Sequence, residues 1–432
     1  MPRMSGEHWI IGVAAALWLA AMVHAVAALA EGRRFDRFVA RCVREAPALF
    51  DAAGRFRYQP RVAIILPCCG IDEKLEQTVA ALKAQRYEDF EVVFTFASAD
   101  DSAYAAIGAM TANWDRPVTR RVVAGDATSR GQKVHNLLAA VAAVSADREV
   151  YVFLDSDAVP GPDWLGHLVA PLAEETTGAA TGYRWYTAGR GVASQLRSAW
   201  NAATVTLLAD ERSNFCWGGG TAIRRDVFDR CDVRAAWDNA VSDDYALSEA
   251  VRAAGLHIRF VPYALAPSSD ATTLKGFWSF ALRQIILTRV YAPHVWRAGL
   301  LLCLNLVVGG TAAAVLFFAA LFGWIGATGV TWPAFAAWMA LLAAIIGRAA
   351  YRQRAVRRVL RPPDATWRDA WADLSAVTFS GLMFLALMIA SMRTRRIVWR
   401  GIEYDMVSPR CTRILNRAGS HANQKSPNAG LQ

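Results

Sequence analysis

The sequence predicts an α/β fold whose mostly parallel sheet lies between an N-terminal transmembrane helix and C-terminal transmembrane helices. Three observations support this prediction. Residues 9–30 carry no formal charge and are long enough to cross a bilayer. Strand and helix patterns alternate between residues 58 and 272, as they do in parallel sheets. A second apolar stretch, residues 299–347, is long enough for two crossings joined by a short turn near residues 324–333.

Charge orients the first helix. Five arginines lie between residues 33 and 44, whereas only Arg3 precedes the apolar run. The positive-inside rule therefore puts residue 32 onward in the cytoplasm. A cleaved signal peptide is the alternative, because residues 28–30 (Ala-Leu-Ala) resemble a cleavage site, but the apolar run is too long for one.

Composition argues against two other classes of protein. The net charge is +10, but the arginines cluster beside the apolar segments and do not interleave with aromatic residues in a nucleic-acid module. This distribution favours anionic lipid headgroups and predicts no nucleic-acid partner. The seven cysteines include no Cys-x-x-Cys pair, so neither a zinc site nor a disulfide framework is indicated.

The middle of the chain divides into short apolar strands and helices of amphipathic spacing. Strands are predicted at residues 62–66, 91–97, 118–123, 150–154, 178–185 and 257–261. Helices are predicted at residues 73–86, 131–144, 191–209 and 242–254. Residues 277–291 mix bulky apolar side chains with arginine, which is typical of a helix lying in the membrane interface. A core helix under the sheet is the alternative for this segment.

The strand at 150–154 stops on two carboxylates, Asp155 and Asp157. Open α/β sheets bind ligands at the carboxyl ends of their strands. Carboxylate oxygens suit Mg²⁺ or Mn²⁺ carrying a diphosphate. The motif alone is also compatible with an acidic loop or a helix N-cap, so its neighbours decide its meaning.

Five features recur along the chain in one order, and together they resemble the family 2 glycosyltransferases with a GT-A (Rossmann-like) fold. Within these, the chain most resembles the ceramide glucosyltransferase group, family 21. The features are an acid after a strand (Asp101), a basic helix start (Lys133), Asp-Ser-Asp, a glycine triplet (Gly218, Gly219 and Gly220) with arginine after it, and Asp243-Asp244-Tyr245. Asp72 also occupies the position of the aspartate in the group's Lys-Pro-Leu-x-Gly-x-Asp pattern.

Two further segments relate to the family. The group usually carries Gln/Arg-x-x-Arg-Trp after the sheet; here Arg283 and Gln284 fit, Ile286 and Leu287 replace Arg-Trp, and Arg289 is the candidate replacement cation. Trp399 and Arg400 begin a stretch that resembles the Trp-Arg-Gly-x-x-Tyr segment of membrane members.

The resemblance implies a nucleotide-sugar donor and a divalent metal, Mg or Mn, on Asp157 and Asp155; a metal-independent enzyme is the alternative. It implies that Asp244 and Asp243 are catalytic residues, with Asp244 as the base. Donor-binding roles fall to Asp101, Lys133, Gly218, Gly219, Gly220, Arg283, Gln284 and Arg289. Roles at the acceptor or elsewhere in the site fall to Trp217, Tyr245, Trp399 and Arg400.

The patterns divide the chain into eight segments. They are an N-terminal transmembrane helix (1–31), a basic juxtamembrane segment (32–57), a GT-A catalytic domain (58–272), an amphipathic interfacial region (273–298), two transmembrane helices (299–349), a basic cytoplasmic loop (350–373), a transmembrane or re-entrant helix (374–392) and a C-terminal tail (393–432). A full crossing by 374–392 would leave the arginines after it outside, against the positive-inside rule. We therefore expect this segment to dip into the membrane without crossing.

The expected function is an inverting transfer of a hexose, expected to be glucose from a UDP-linked donor, to the hydroxyl of ceramide or another membrane lipid. The partners are the nucleotide sugar, the lipid acceptor and the bilayer, and the location is the inner or plasma membrane if the protein is bacterial, with the catalytic domain in the cytoplasm. A processive polysaccharide synthase, a polytopic transporter and a non-catalytic nucleotide-sugar sensor are the alternatives. Transport is disfavoured because the spans hold almost no ionisable residues apart from His24.

Overall fold

The computed structural model describes residues 6–187, 189, 191–324, 330–360 and 367–417. Parts of predicted segments lie outside these residues: residues 1–5 of the first helix, residues 188 and 190 of the catalytic domain, the turn at 325–329, residues 361–366 of the basic loop, and the tail from 418 onward. The chain begins with a 40-residue helix, α1 (Gly6–Glu45), which runs without a break through the predicted boundary at residue 31.

A seven-stranded sheet forms the centre of the catalytic domain. Its strands are β1 (Val62–Pro67), β2 (Phe90–Phe96), β3 (Val118–Val123), β4 (Val150–Leu154), β5 (Thr177–Tyr186), β6 (Gly220–Arg224) and β7 (His257–Ser268). They lie in the order β3-β2-β1-β4-β6-β5-β7, and only β6 runs antiparallel to its neighbours. The predicted mostly parallel sheet is therefore confirmed.

Helices cover both faces of the sheet. They are α2 (Leu75–Lys83), α3 (Ser102–Thr111), α4 (Gln132–Ala143), α5 (Trp164–Val169), α6 (Val192–Val205), α7 (Arg225–Arg230), α8 (Val233–Trp237), α9 (Asp243–Ala253) and α10 (Leu274–Tyr291). Ile64 of β1 lies in one hydrophobic core and its neighbour Ile65 in the other. This burial on both faces explains why the strands are apolar without alternation.

Three described helices are long and apolar enough to cross a membrane: α1, α11 (Pro293–Leu321) and α12 (Thr331–Val356). They pack through small residues, since a Cβ on Gly309 of α11 would come within 2.4 Å of the Ala21 Cβ of α1. Helix α11 runs antiparallel to α1, because Asn305 contacts His24 and the later Gly309 contacts the earlier Ala21. Helix α12 runs parallel to α1, because Trp18 donates to the Ala337 carbonyl and the later Gly32 contacts the later Arg348.

Both ends of helix α13 (Trp367–Ser391) contact the same end of the bundle. Near its beginning, Asp373 accepts hydrogen bonds from Arg352 at the end of α12. At its end, the Ser391 hydroxyl accepts from the indole of Trp296, near the start of α11. Because α11 begins where α12 ends, both ends of α13 lie at one end of the bundle. These contacts agree with a segment that does not cross, which stays a prediction.

The segment predicted as a C-terminal tail forms a second sheet as far as residue 417. Strands β8 (Arg396–Trp399), β9 (Ile402–Ser408) and β10 (Cys411–Arg417) pair antiparallel in the order β10-β9-β8. Ile402, Tyr404 and Met406 of β9 alternate inward and are buried against Ile286 of α10. This alternation of period two was present in the sequence and was not recognised there.

Candidate active site

The candidate site lies at the carboxyl edge of the large sheet. Strands β1, β2, β4 and β5 all end at this edge, whereas the antiparallel β6 begins there. The turn that holds Asp155 and Asp157 follows β4, and the backbone N–H of Asp155 donates to the Gly219 carbonyl just before β6. The topology therefore brings the acidic motif and the glycine triplet side by side.

Arg184, near the end of β5, binds both carboxylates of the acidic motif. Its Nη1 lies 3.0 Å from Asp157 Oδ2, and its Nη2 donates to Asp157 Oδ1 and, at 3.3 Å, to Asp155 Oδ2. Burial alone would raise the pKa of Asp157, but the Arg184 guanidinium outweighs it and lowers this pKa to about 2. Sequence reasoning missed Arg184. The available signal was a charged residue inside a wholly buried strand of otherwise apolar and small residues.

Lys133, in the first turn of α4, connects three predicted parts of the site. Its Nζ lies 2.9 Å from Asp155 Oδ1, 3.2 Å from Asp243 Oδ2 and 3.0 Å from the Gly218 carbonyl oxygen. Burial lowers the pKa of Lys133, but the two carboxylates outweigh it, so that the net shift is upward. The ammonium group therefore stays charged and holds these segments together.

The glycine triplet is required by the crowding around it. A Cβ on Gly218 would stand 2.4 Å from Asp243 Oδ2, and one on Gly219 would stand 2.4 Å from Asp155 Oδ2. The Trp217 ring packs against Gly219 and Gly220. The absence of side chains thus lets the backbone approach the acidic groups, which supplies a structural reason for these glycines beside their predicted contact with the donor.

The two carboxylates that open α9 have different surroundings. Burial, reinforced by the neighbouring Asp244 and Asp155 carboxylates, outweighs the opposing effect of Lys133 and raises the pKa of Asp243 to about 6. Asp244 is half-buried, and its Oδ1 accepts hydrogen bonds from the Ser242 hydroxyl and from the backbone N–H of Tyr245, the latter at 2.8 Å. The Tyr245 hydroxyl lies 2.7 Å from the Thr288 hydroxyl, which ties α9 to α10.

The turn between β8 and β9 reaches the same edge from the C-terminal sheet. Arg400 adopts a φ of 49°, in the left-handed region, and its guanidinium donates two hydrogen bonds of 3.0 and 2.9 Å to Asp72. Asp72 follows β1 and also accepts from the hydroxyl of Ser156, within the acidic motif. The Trp399 ring centroid lies 5.4 Å from the guanidinium of Arg283 on α10. Asp72 was matched to the family pattern but given no role in the sequence analysis.

Three other predicted donor residues have contacts outside this network. Asp101 is buried, caps α3 by accepting from the Ala103 N–H, and accepts from the Gly70 N–H after β1. Arg289 donates to the carbonyls of Met392 and Thr394 beyond α13. Gln284 lies next to Arg283, and its backbone carbonyl accepts from Thr288. The described contacts do not connect Arg289 with the carboxylates.

The acidic motif fits a divalent ion under one condition. Among the described residues, no group of three or more histidines, cysteines or acids could hold a metal by itself. Oxygens of Asp155 and Asp157 nevertheless converge on one guanidinium, and Mg²⁺ commonly uses one or two carboxylates together with substrate phosphates. The pair can therefore hold an ion together with a diphosphate, provided that Arg184 withdraws.

Glycosyltransferases of the GT-A class combine a sheet of this kind with an acidic motif at its carboxyl edge. The family described as Glycosyl transferase family 21 matches residues 13–410, and the chain belongs to this family. The fold and the family predicted from the sequence are thereby confirmed, as is the predicted enzyme class, since the family is one of glycosyltransferases.

Individual known proteins are similar to the chain at low sequence identity. Ceramide glucosyltransferase 1 of Caenorhabditis elegans is 21% identical over 281 residues, which cover 62% of this chain and 60% of that protein, less than two thirds of its length. A mannosyltransferase from Pyrobaculum calidifontis, solved with GDP-Man and Mn²⁺, has a TM-score of 0.48 at 18% identity and covers 80% of this chain and 99% of its own. Glucosyl-3-phosphoglycerate synthase from Mycobacterium tuberculosis, solved with Mn²⁺ and UDP-glucose, has a TM-score of 0.36 at 18% identity, covering 53% and 78%.

Proposed function

We propose that the protein is a membrane-bound, inverting glycosyltransferase that moves glucose from a UDP-linked donor to a lipid hydroxyl, such as that of ceramide. The observation that carries this proposal is the network in which Lys133 joins Asp155 of the acidic motif to Asp243 of α9. Through this network the acidic motif, which is suited to a metal-bound diphosphate, lies next to the start of α9, which carries the proposed base Asp244. Membership of family 21 and the likeness to a ceramide glucosyltransferase support the lipid acceptor.

Asp155 and Asp157 would hold the divalent ion, which supplies neutralisation of the diphosphate as it leaves. Lys133 adds positive charge from the protein side of the same pocket. Arg283, in contact with Trp399, and Arg400, paired with Asp72, add further positive charge that would favour an anionic donor. This arrangement counters the charge that develops on the leaving group.

Asp244 is the proposed base. A single displacement with inversion needs a group that accepts the proton of the acceptor hydroxyl as the new bond forms. Hydrogen bonds from Ser242 and Tyr245 fix the orientation of the Asp244 carboxylate. Asp243 holds Lys133 and orients the start of α9, and we assign it a positioning role.

The acceptor would reach the site along α10. This helix carries Arg283 toward Trp399, while Phe280 packs with Trp200 of α6 and Met388 of α13 lies in the same apolar cluster. Trp278 and Leu274 of α10 remain exposed. An amphipathic helix with bulky exposed residues lies well at the headgroup level of a membrane. The catalytic domain would face the cytoplasm, in agreement with the arginines after the first span.

The test is to incubate the protein in detergent micelles with UDP-glucose and a membrane lipid extract. We expect UDP release that depends on the lipid, with one labelled lipid identified by mass spectrometry. The Asp244→Asn variant is the matched control, because it keeps the donor site. Equal UDP release with and without lipid would contradict a lipid acceptor, and the absence of UDP release with every nucleotide sugar would contradict glycosyl transfer.

A further inference from the structure

Arg184 occupies the position that the proposed metal needs. It uses both oxygens of Asp157 and one oxygen of Asp155, and its side chain is only 9% exposed. The rings of Trp217 and Tyr186 lie 5.5 and 5.8 Å from its guanidinium carbon, and the amide of Asn201 donates to its backbone carbonyl. The guanidinium therefore sits in a built position between two rings and two carboxylates.

A divalent ion and this guanidinium compete for the same oxygens, because the two cations repel each other at such short range. Both oxygens of Asp157 accept from Arg184, and Asp155 is also bound by Lys133. An ion arriving alone would have to displace a buried cation that then has no anionic partner. A diphosphate arriving with the ion supplies that partner, because its oxygens match the planar donors of arginine as carboxylates do.

We propose that Arg184 keeps the metal-binding carboxylates occupied until the donor arrives, so that the divalent ion binds tightly only together with a nucleotide diphosphate. This inference rests on the proposed function, in which Asp155 and Asp157 hold the ion. Arg184 exchanges one ion pair for another: it leaves the carboxylates and pairs with the diphosphate, while the ion takes the released oxygens. No covalent bond changes, and charge remains compensated at each stage. Arg184 is thus a positioning residue that sets the order of binding.

Binding of Mn²⁺ to the full-length protein in detergent micelles tests this, with protein-bound ion separated by ultrafiltration and counted by electron paramagnetic resonance. UDP without protein supplies the background. In the wild type, we expect UDP to tighten Mn²⁺ binding at least tenfold. In Arg184→Gln, we expect Mn²⁺ to bind without UDP at least tenfold more tightly than to the wild type. Wild-type binding that is equally tight with and without UDP would overturn the inference, and so would an Arg184→Gln variant that binds as the wild type does.

Arg259 on β7 provides the matched control, since it also bridges two carboxylates, Glu174 and Glu211, away from the motif. Arg259→Gln should show wild-type Mn²⁺ binding; a gain like that of Arg184→Gln would mean that any freed acid pair binds the ion, and the inference would fall. Thermal unfolding checks whether each variant folds. If Arg184→Gln does not fold, Arg184→Lys replaces it, and Mn²⁺ binding without UDP should then tighten less than is expected for Arg184→Gln. A wild type that binds no Mn²⁺ even with UDP would instead refute the metal role in the proposed function.

Discussion

Two arginine–aspartate clusters use the same groups in different surroundings. At the candidate site, Asp157 is 35% exposed and its partner Arg184 is 9% exposed, so solvent reaches the carboxylate side of the pair. At the base of the helical bundle, Arg352 and Asp373 are 1% and 0% exposed, and Gln353 also donates to Asp373. A closed pair cannot exchange partners because neither group can be rehydrated or reach another ion. An open pair can exchange, so the difference in access separates a structural contact from a functional one.

The largest loss of turnover is expected at Asp244, an acid that belongs to neither arginine–aspartate cluster. Asp244→Asn should lower turnover about 10³-fold while donor binding survives, because the amide keeps the shape of the carboxylate but cannot accept the proton. Turnover with UDP-glucose and donor binding by calorimetry check this. Loss of donor binding would assign Asp244 to the structure of the pocket instead.

Breaking the open pair should affect activity more than stability. Asp157→Ala should lower turnover about 10²-fold, since the diphosphate loses a metal ligand, and added Mn²⁺ should not restore it. Its melting temperature should fall less than that of Asp373→Ala, because Asp157 is partly exposed and Asp155 remains as a partner for Arg184. Near wild-type turnover in the presence of a chelator would show that this carboxylate binds no essential metal.

Breaking the closed pair should do the reverse. Asp373→Ala leaves Arg352 buried without its carboxylate partner and should cost about 3–5 kcal/mol in the free energy of unfolding. Thermal unfolding in detergent measures the effect. Asp238→Ala is the matched control, because Asp238 is 59% exposed in its pair with the half-buried Arg130, and such a pair at the surface contributes about 1 kcal/mol or less. Equal melting temperatures for the two variants would remove the distinction between closed and open pairs.

Lowering the pH should have opposite effects on the stability that two carboxylates of the site contribute. The pKa of Asp243 is raised to about 6, so the folded state binds a proton more readily than the unfolded state. Stability from this group is present below about pH 4 and is lost as the pH rises through 6, by at most about 3 kcal/mol. Asp157, whose pKa is lowered to about 2, behaves oppositely: its contribution is present above about pH 4 and is lost toward pH 2.

The measurement compares melting temperatures of the wild type and Asp243→Asn at pH 7 and pH 4.5. The wild type should gain on the variant as the pH falls, because the variant has no proton to bind. A constant difference between the two proteins would show that Asp243 does not titrate in this range.

The sequence predicted the residues of the site whose position follows from strand ends. Asp155, Lys133, the glycine triplet and Asp243 come together because the carboxyl ends of parallel strands share one edge. Arg184 could not be predicted in this way. It lies on β5 and reaches Asp157 after β4, although β6 lies between these two strands in the sheet. This contact depends on the order of the strands, which the sequence pattern does not reveal.

The C-terminal sheet shows a different limit. Its strands are four to seven residues long and follow a long apolar helix, so the alternation in 402–406 was assigned to a tail. Arg400 was selected from the family segment, but its partner Asp72 lies 328 residues earlier. Local patterns do not identify contacts at such separations. The same holds for Arg289, which contacts backbone carbonyls 103 and 105 residues later, after α13; its role at the donor stays a prediction.

The docking of the C-terminal sheet also constrains the path of the chain through a bilayer. Its strands contact the catalytic domain at both the start of α4, where Gln132 donates to the Tyr404 hydroxyl, and the loop before α9, where Thr412 donates to the Asn239 carbonyl. The end of α10 is held to that domain by Tyr291, which accepts from Val241. If residues 291 and 396 lie on one side of a membrane, the chain between them crosses it an even number of times. With α11 and α12 as the candidate crossings, we therefore predict that α13 does not cross.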